Sequence, residues 1–124
     1  MKKLLFVLLL TISSVVRADW RFVSQVDDEA KFYIETTTIQ SISGNKRAWL
    51  KTEHSKKLGD VASSSRTYME FDCKEMKSRR LSFEAFRDSN LVSSIEFDKK
   101  IGDWIYSPPK SVSLAILNYV CNRK

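Results

Sequence analysis

Residues 108–121 read PPKSVSLAILNYVC, and they contain the clearest helical pattern in the chain. Apolar side chains recur there at helical spacing: Val112, Ala115, Ile116, Tyr119 and Val120, with Leu114 and Leu117 widening the stripe. The stretch Pro108-Pro109-Lys110-Ser111 is typical of a helix start, which is predicted at Pro109 or Ser111. Because such a broad apolar face has to be buried, the helix is predicted to pack across a sheet.

The strands of that sheet are predicted from shorter stretches that precede the helix. Within Arg47–His54, Ala48, Leu50 and Thr52 point one way, and this period-two alternation predicts a strand with one buried face. Further strands are predicted at residues 20–23, 31–35, 67–73, 81–86 and 91–97, with a loop at 56–65 and a bulge at 85–86. The predicted fold class is α+β: about six antiparallel strands forming a twisted sheet, with one C-terminal helix packed on it.

The first 18 residues have the layout of a secretory signal peptide. A positive start is followed by the apolar run Leu4–Ile12 and by small residues, which predicts cleavage between Ala18 and Asp19. The alternative is a transmembrane anchor, but a span needs about 20 apolar residues and this run has roughly half as many. No membrane span is therefore expected, and because no cysteine lies near the predicted cut, no lipid anchor is expected either. The protein is expected to be exported: it is periplasmic, secreted into the medium or displayed at the cell surface.

Removal of the leader changes the charge of the protein. The whole chain has 124 residues and a formal net charge of +6, and the leader carries three of the basic residues and no acidic ones. Residues 19–124 then form a single predicted domain with a net charge of +3. This charge is too small for a dedicated nucleic-acid binder, so no nucleic-acid partner is expected.

Two cysteines, Cys73 and Cys121, are too few for a zinc or iron–sulfur framework. In an oxidising compartment a single pair is normally a disulfide, which here would join the middle of the chain to its C-terminal segment. Two buried free thiols are the alternative. A redox-active pair is not favoured, since no C-x-x-C spacing occurs.

The sequence offers no constellation of catalytic residues. His54 is the only histidine, no serine lies in a G-x-S-x-G setting, and three scattered glycines cannot build a phosphate loop. An exposed histidine at the end of a strand explains His54 better than a catalytic or metal-binding role. The prediction is therefore a protein that is not an enzyme and has no cofactor or metal.

Basic and aromatic side chains supply the weak candidates for a binding site: Lys77, Arg79, Arg80 and Trp104. A functional interpretation is contact with an acidic partner, and the alternative is a solvated basic surface that keeps strand edges from pairing. Trp20 and Trp49 are expected in the core, whereas Trp104 could be buried or exposed.

Several short motifs recur in the order of a known family: Phe32-Tyr33-Ile34-Glu35, Trp49, Phe71-Asp72-Cys73, Arg79-Arg80-Leu81, Pro109-Lys110-Ser111 and Val120-Cys121. Together with Trp20 and Trp104, this order resembles the surface-adhesin protein E-like family of Gram-negative bacteria. The resemblance covers nearly the whole of residues 19–124. Its most specific part is the cysteine pair with the proline–serine helix start before the second cysteine.

The resemblance implies an antiparallel sheet with a helix packed on it and a Cys73–Cys121 disulfide. It also implies a protein partner, because the family's namesake adhesin binds host matrix and plasma proteins such as vitronectin and laminin, and it allows a homodimer. The namesake is a lipoprotein, and this chain departs from it in having no lipid-bearing cysteine near the predicted cut. The leading hypothesis is a non-catalytic exported binding module. The alternative is a periplasmic inhibitor or envelope-stress factor of the small lysozyme-inhibitor type.

Overall fold

The computed structural model describes residues 17–54, 63–96 and 102–123, with the backbone alone described at 95 and 96. Within these ranges the chain forms eight strands: β1 Trp20–Val26, β2 Ala30–Glu35, β3 Gln40–Ile42, β4 Asn45–His54, β5 Ser64–Asp72, β6 Lys77–Arg87, β7 Asn90–Glu96 and β8 Ile105–Tyr106. A 3₁₀ turn at Thr36–Thr38 follows β2, and helix α1 spans Val112–Cys121. The predicted signal peptide up to residue 16 and most of the predicted loop at 56–65 lie outside the described residues.

The strands form a single curled antiparallel sheet in the described part of the chain. Six of them follow the order β1-β2-β4-β5-β6-β7, while the short strands β3 and β8 pair with β4 and β6. The α+β prediction of about six strands and one C-terminal helix is therefore confirmed. The pattern did not reveal β3 and β8, which have three and two residues and are too short to show a period.

Irregular pairing bends the sheet at three places. The register shifts between Phe22 and Ser24, between Tyr68 and Met69, and between Ala85 and Phe86. The last shift confirms the bulge that was predicted from the slipped alternation. Since a bulge increases local bend and twist, these shifts account for a sheet that curls around one side.

Two strands begin three or more residues earlier than the sequence predicted. β5 begins at Ser64 rather than Thr67, and β6 begins at Lys77 rather than Leu81. The extra residues are mostly polar, and they pair across the sheet with partners such as Ser78 opposite Phe71. Pairing with a neighbouring strand outweighs the weak strand preference of these polar residues.

Helix α1 covers one side of the sheet. Ser111 caps its start by accepting a hydrogen bond at Oγ from the Leu114 amide at 3.0 Å, one of the two predicted start positions. The buried core joins the helix to strands β2, β4 and β5: Ile34, Ala48, Leu50, Phe71, Ile116, Leu117 and Val120. The helix predicted from residues 108–121 therefore packs as expected, with its apolar stripe on the sheet.

The end of the helix is attached to the sheet in two ways. Cys73 and Cys121 form the predicted disulfide, with their Cα atoms 5.7 Å apart. Lys46 donates from Nζ to the carbonyl oxygens of Val120 and Cys121 at 3.3 and 3.2 Å. A cation at these carbonyls complements the negative end of the helix.

Candidate interaction surface

Alternation along the strands gives the sheet two faces of different chemistry. The inner face carries the core residues that α1 covers, such as Leu50 and Phe71. The opposite side, here called the outer face, carries aromatic and charged side chains: Trp20, Tyr33, Arg47, Trp49, Lys51, Arg66, Tyr68, Glu70, Lys77, Arg79 and Phe86. The described helix packs on the inner face, so the side chains of the outer face are accessible to a partner.

Two aromatic rings stack across neighbouring strands at the middle of the outer face. Trp49 and Tyr68 lie directly opposite each other in β4 and β5, with ring centroids 5.0 Å apart and planes inclined by 30°. Such cross-strand aromatic pairs add about 0.5–1.5 kcal/mol beyond their buried area. The stacked pair therefore stabilises the pairing of β4 and β5 at the middle of the outer face.

Cations lie over the aromatic rings on the part of the outer face that includes β1. Lys51 Nζ is 5.0 Å from the Trp20 ring centroid and 4.9 Å from that of Tyr33. Arg66 Cζ lies 5.7 Å from the Trp20 ring and 5.0 Å from the Phe86 ring. These distances fall within the range of cation–π attraction, so the charged groups are held against the rings while their polar tips can face solvent.

A second group of cations and rings lies at the opposite end of the outer face. This Trp104 cluster consists of Lys77, Arg79, Trp104 and Tyr106, which meet because β8 pairs with the start of β6. Arg79 Cζ is 4.3 Å and Lys77 Nζ 5.2 Å from the Trp104 ring. Lys77 Nζ is also 5.7 Å from the Tyr106 ring. Tyr106 is 63% exposed, so the cluster presents an open aromatic surface beside a cation.

Glu70 is a buried residue of the outer face, and two arginines neutralise its carboxylate. Arg47 and Arg79 each donate from Nε to Glu70 at 2.8 Å, and Glu70 is 3% exposed. Burial alone would raise the pKa of Glu70, but the hydrogen bonds and positive charges of both arginines outweigh it and hold the pKa below its usual value. One negative charge between two positive ones leaves this region net positive.

The structure brings together three of the four weak binding candidates and separates the fourth. Lys77, Arg79 and Trp104 belong to one cluster, as described above. Arg80 follows Arg79 in the same strand, so its side chain lies on the inner face, where it lines a cleft. Tyr106 is part of the cluster but was not singled out in the sequence, because only the pairing of β8 with β6 places it there.

The tryptophans differ from expectation. Trp20 and Trp49 are half-buried on the outer face and do not belong to the buried core, so the prediction that they are core residues is wrong. The small residue Ala48 and the adjacent Leu50 occupy the core side of β4 instead. Trp49 alternates in the sequence on the same side of the strand as Lys51 and Glu53, and this pattern indicates a position outside the core. The core prediction followed the size of the ring instead.

His54 lies at the end of β4, as expected, but it is half-buried rather than exposed. In the part of the chain that the structure describes, no three histidine, cysteine or acidic side chains converge in a way that could hold a metal ion. Because this search covers only the described residues, the expectation that the protein has no catalytic or metal site stays a prediction.

A curled antiparallel sheet, one C-terminal helix joined to it by a disulfide, and an uncovered aromatic face define a small disulfide-bonded α+β module. The model of the surface-adhesin protein E family matches residues 20–122. The chain therefore belongs to the surface-adhesin protein E family, as its motifs indicated.

Solved structures support the same fold. A structure of Haemophilus influenzae protein E is 11% identical, with a TM-score of 0.60 and 86% of each chain covered. Its crystal form II is 12% identical, with a TM-score of 0.59 over 86% of this chain and 89% of that one. Protein E from non-typeable Haemophilus influenzae is 15% identical, with a TM-score of 0.54 over 88% of this chain and 80% of that chain. No curated protein matches the chain in sequence.

Membership of this family indicates an adhesin-like protein that is exported or displayed at a cell surface. Among the helices of the described residues, none combines the length and the apolar character that crossing a membrane requires.

Proposed function

We propose that this chain is a non-catalytic binding module of the adhesin type, which contacts a protein partner through its outer face. The observation that carries the proposal is the Trp104 cluster, where exposed and half-buried rings lie beside two cations. Aromatic residues and arginine are the side chains that dominate the energy of protein interfaces. The family to which the chain belongs supports this kind of function.

The charge of the cluster favours an acidic segment on the partner. The carboxylate of Glu70 is already shared between Arg47 and Arg79, so the neighbouring Lys77 has no carboxylate partner among the described residues. An acidic side chain of the partner could pair with Lys77 while apolar groups rest on Tyr106, which is 63% exposed. Complementary charge also increases the rate of association.

The partner is a host matrix or plasma protein, or else a protein of the bacterial envelope. The first class follows from the resemblance to the namesake adhesin, which binds vitronectin and laminin. The second fits an exported protein that stays in the periplasm. Fractionation of native cells into periplasm, outer membrane and medium separates the two, since a purely periplasmic protein does not meet host proteins.

Binding of the exported protein to immobilised vitronectin, laminin and other matrix proteins tests the proposal. Saturable binding above that of an unrelated protein of the same net charge is expected. Tyr106→Ala is expected to weaken it by about tenfold while leaving the melting temperature unchanged, because the ring is largely exposed. Absence of binding to every matrix, plasma and envelope protein, together with inhibition of lysozyme, would support the inhibitor hypothesis instead.

A further inference from the structure

The inner face contains a cleft that takes no part in the proposed contact between the outer face and a protein partner. The cleft has a volume of about 460 Å³ and lies beside the first half of α1, over strands β4, β5 and β6. This volume is within the roughly 300–1,000 Å³ of small-molecule sites. Its lining extends along β5 from Ser65 to Phe71, a span of about 20 Å at roughly 3.3 Å per residue, which suits an elongated ligand.

The lining of the cleft is mostly apolar, and the sheet that forms its floor also carries hydroxyl groups. Phe32, Met69, Phe83 and Val112 form much of the apolar lining. Four hydroxyl side chains also line it, each at least nine-tenths buried: Thr52, Ser65, Thr67 and Ser78. None of these four forms a side-chain hydrogen bond with another described residue, and no side-chain oxygen of the described residues is both buried and without a partner, so these hydroxyl oxygens are open to the cleft. A few polar groups placed in a mostly apolar lining are typical of small-molecule sites, where they exchange hydrogen bonds with the ligand.

The charge of the lining has one sign. Arg80 is the one permanent cation among the described lining residues, His54 is the other ionisable group, and no carboxylate occurs among them. Arg80 forms no ion pair with the described residues. A guanidinium at the margin of an apolar cleft matches a carboxylate, which it can bind through two parallel hydrogen bonds.

From these features we infer that the cleft binds a small amphipathic carboxylate, with an apolar body, hydroxyl groups along one side and its carboxylate at Arg80. The apolar side of the ligand rests on Phe83, Met69 and Val112. Its hydroxyl groups exchange hydrogen bonds with the floor. Since the cleft lies on the opposite side of the sheet from the Trp104 cluster, this site is independent of the proposed adhesin function.

Titration calorimetry of the exported protein with cholate, below its micelle-forming concentration, tests the inference. Cholate has a carboxylate and hydroxyl groups on one side of an apolar body, and saturable binding of one molecule per chain is expected. Decanoate, which has the carboxylate without hydroxyl groups, is expected to bind more weakly. Absence of saturable cholate binding by folded protein, or tighter binding of decanoate, would overturn the inference.

Two variants separate the carboxylate contact from the hydroxyl contacts, and a third is the control for net charge. Arg80→Glu should weaken cholate binding by about tenfold or more, since a charge-assisted pair is lost and replaced by repulsion. Lys31→Glu makes the same change of net charge at an exposed position on the outer face and should leave binding unchanged. Thr67→Val keeps the shape of the floor without its hydroxyl, and should weaken cholate severalfold but not decanoate. Equal cholate affinity in Arg80→Glu and wild type would refute the carboxylate site, and equal affinity in Thr67→Val would refute the hydroxyl contacts.

Discussion

Glu70 is the residue on which the charge of the outer face depends. Its carboxylate is buried and accepts hydrogen bonds from Arg47 and Arg79, and it thereby fixes the guanidinium of Arg79 under the Trp104 ring. Loss of this carboxylate would leave two guanidinium groups without their shared partner. Positioning of the Trp104 cluster and stability of the sheet are therefore linked at one side chain.

Glu70→Gln is expected to lower the free energy of unfolding by about 2 kcal/mol at neutral pH, the scale of charge-assisted hydrogen bonds in a partly buried site. The folded pKa of Glu70 lies below its ordinary value of 4.5, so its contribution is present above that pH and is lost as the pH falls through the folded pKa. Urea denaturation between pH 7 and pH 3 checks this. A wild-type curve no steeper with pH than that of Glu70→Gln would contradict it.

The backbone nitrogen of Asp19 gives a test of the predicted cleavage. It donates to the buried carboxylate of Glu35 at 2.6 Å, and Thr37 donates to the same carboxylate from its hydroxyl group. Burial alone would raise the pKa of Glu35, but these hydrogen bonds outweigh it and lower the pKa. If cleavage follows Ala18, this nitrogen becomes an ammonium group beside a carboxylate, and the hydrogen bond becomes charge-assisted.

A chain that begins at Asp19 is therefore expected to be about 1 kcal/mol more stable at pH 6 than one that begins at Ala18. The pairing raises the pKa of the ammonium group above its unfolded value of about 8, so the advantage is full below that pH and is lost as the pH rises through the folded pKa. Denaturation of both chains at pH 6 and pH 10 measures it. Glu35→Gln in both chains is the control, and an advantage that survives there would show that this ion pair is not its source.

At the scale of elements, the attachment of α1 to the sheet sets the stability of the domain. The Cys73–Cys121 bridge spans 48 residues of sequence and holds the C-terminal end of the helix on the core. Reduction is expected to cost about 4 kcal/mol through the greater entropy of the unfolded chain. Thermal melts with and without reductant check this, and an unchanged melting temperature after complete reduction would contradict it.

Strand β7 is the edge where a second copy of the chain could pair. It is the last strand in the sheet order, and its neighbouring residues Leu91 and Val92 are 57% and 50% exposed. An uncovered apolar edge favours strand pairing. The homodimer allowed by the family resemblance is therefore predicted to form through β7. Leu91→Lys is expected to give a monomer by light scattering, whereas a dimer that persists in this variant would place the interface elsewhere.

Local signals in the sequence were enough for some elements. Helix α1 has its own stripe and capping serine, and the bulge at Ala85 and Phe86 interrupts a visible alternation, so both could be predicted. The start of β6 at Lys77 and the strand β8 could not, because they depend on pairing between distant residues. The same pairing assembles the Trp104 cluster. The sequence therefore identified Lys77, Arg79 and Trp104 as candidates, but it could not show that they meet in one cluster. It also could not show that Arg80 lies on the other face of the sheet.

At the scale of the whole molecule, one sheet separates two surfaces of different chemistry. The outer face offers rings and cations to a large partner, whereas the inner face has a cleft for a small one. Lys77 and Arg80 are three residues apart in β6, yet they belong to different surfaces. Each can therefore serve as the control for the other.

Binding of the exported protein to an immobilised protein partner, compared among wild type, Lys77→Glu and Arg80→Glu, tests the role of the outer face most directly. Both variants change the net charge equally. The structure predicts that Lys77→Glu weakens binding by about tenfold or more, while Arg80→Glu binds as wild type does. Equal loss in both variants would show that binding follows net charge alone, and full binding by Lys77→Glu would contradict a partner site at the Trp104 cluster.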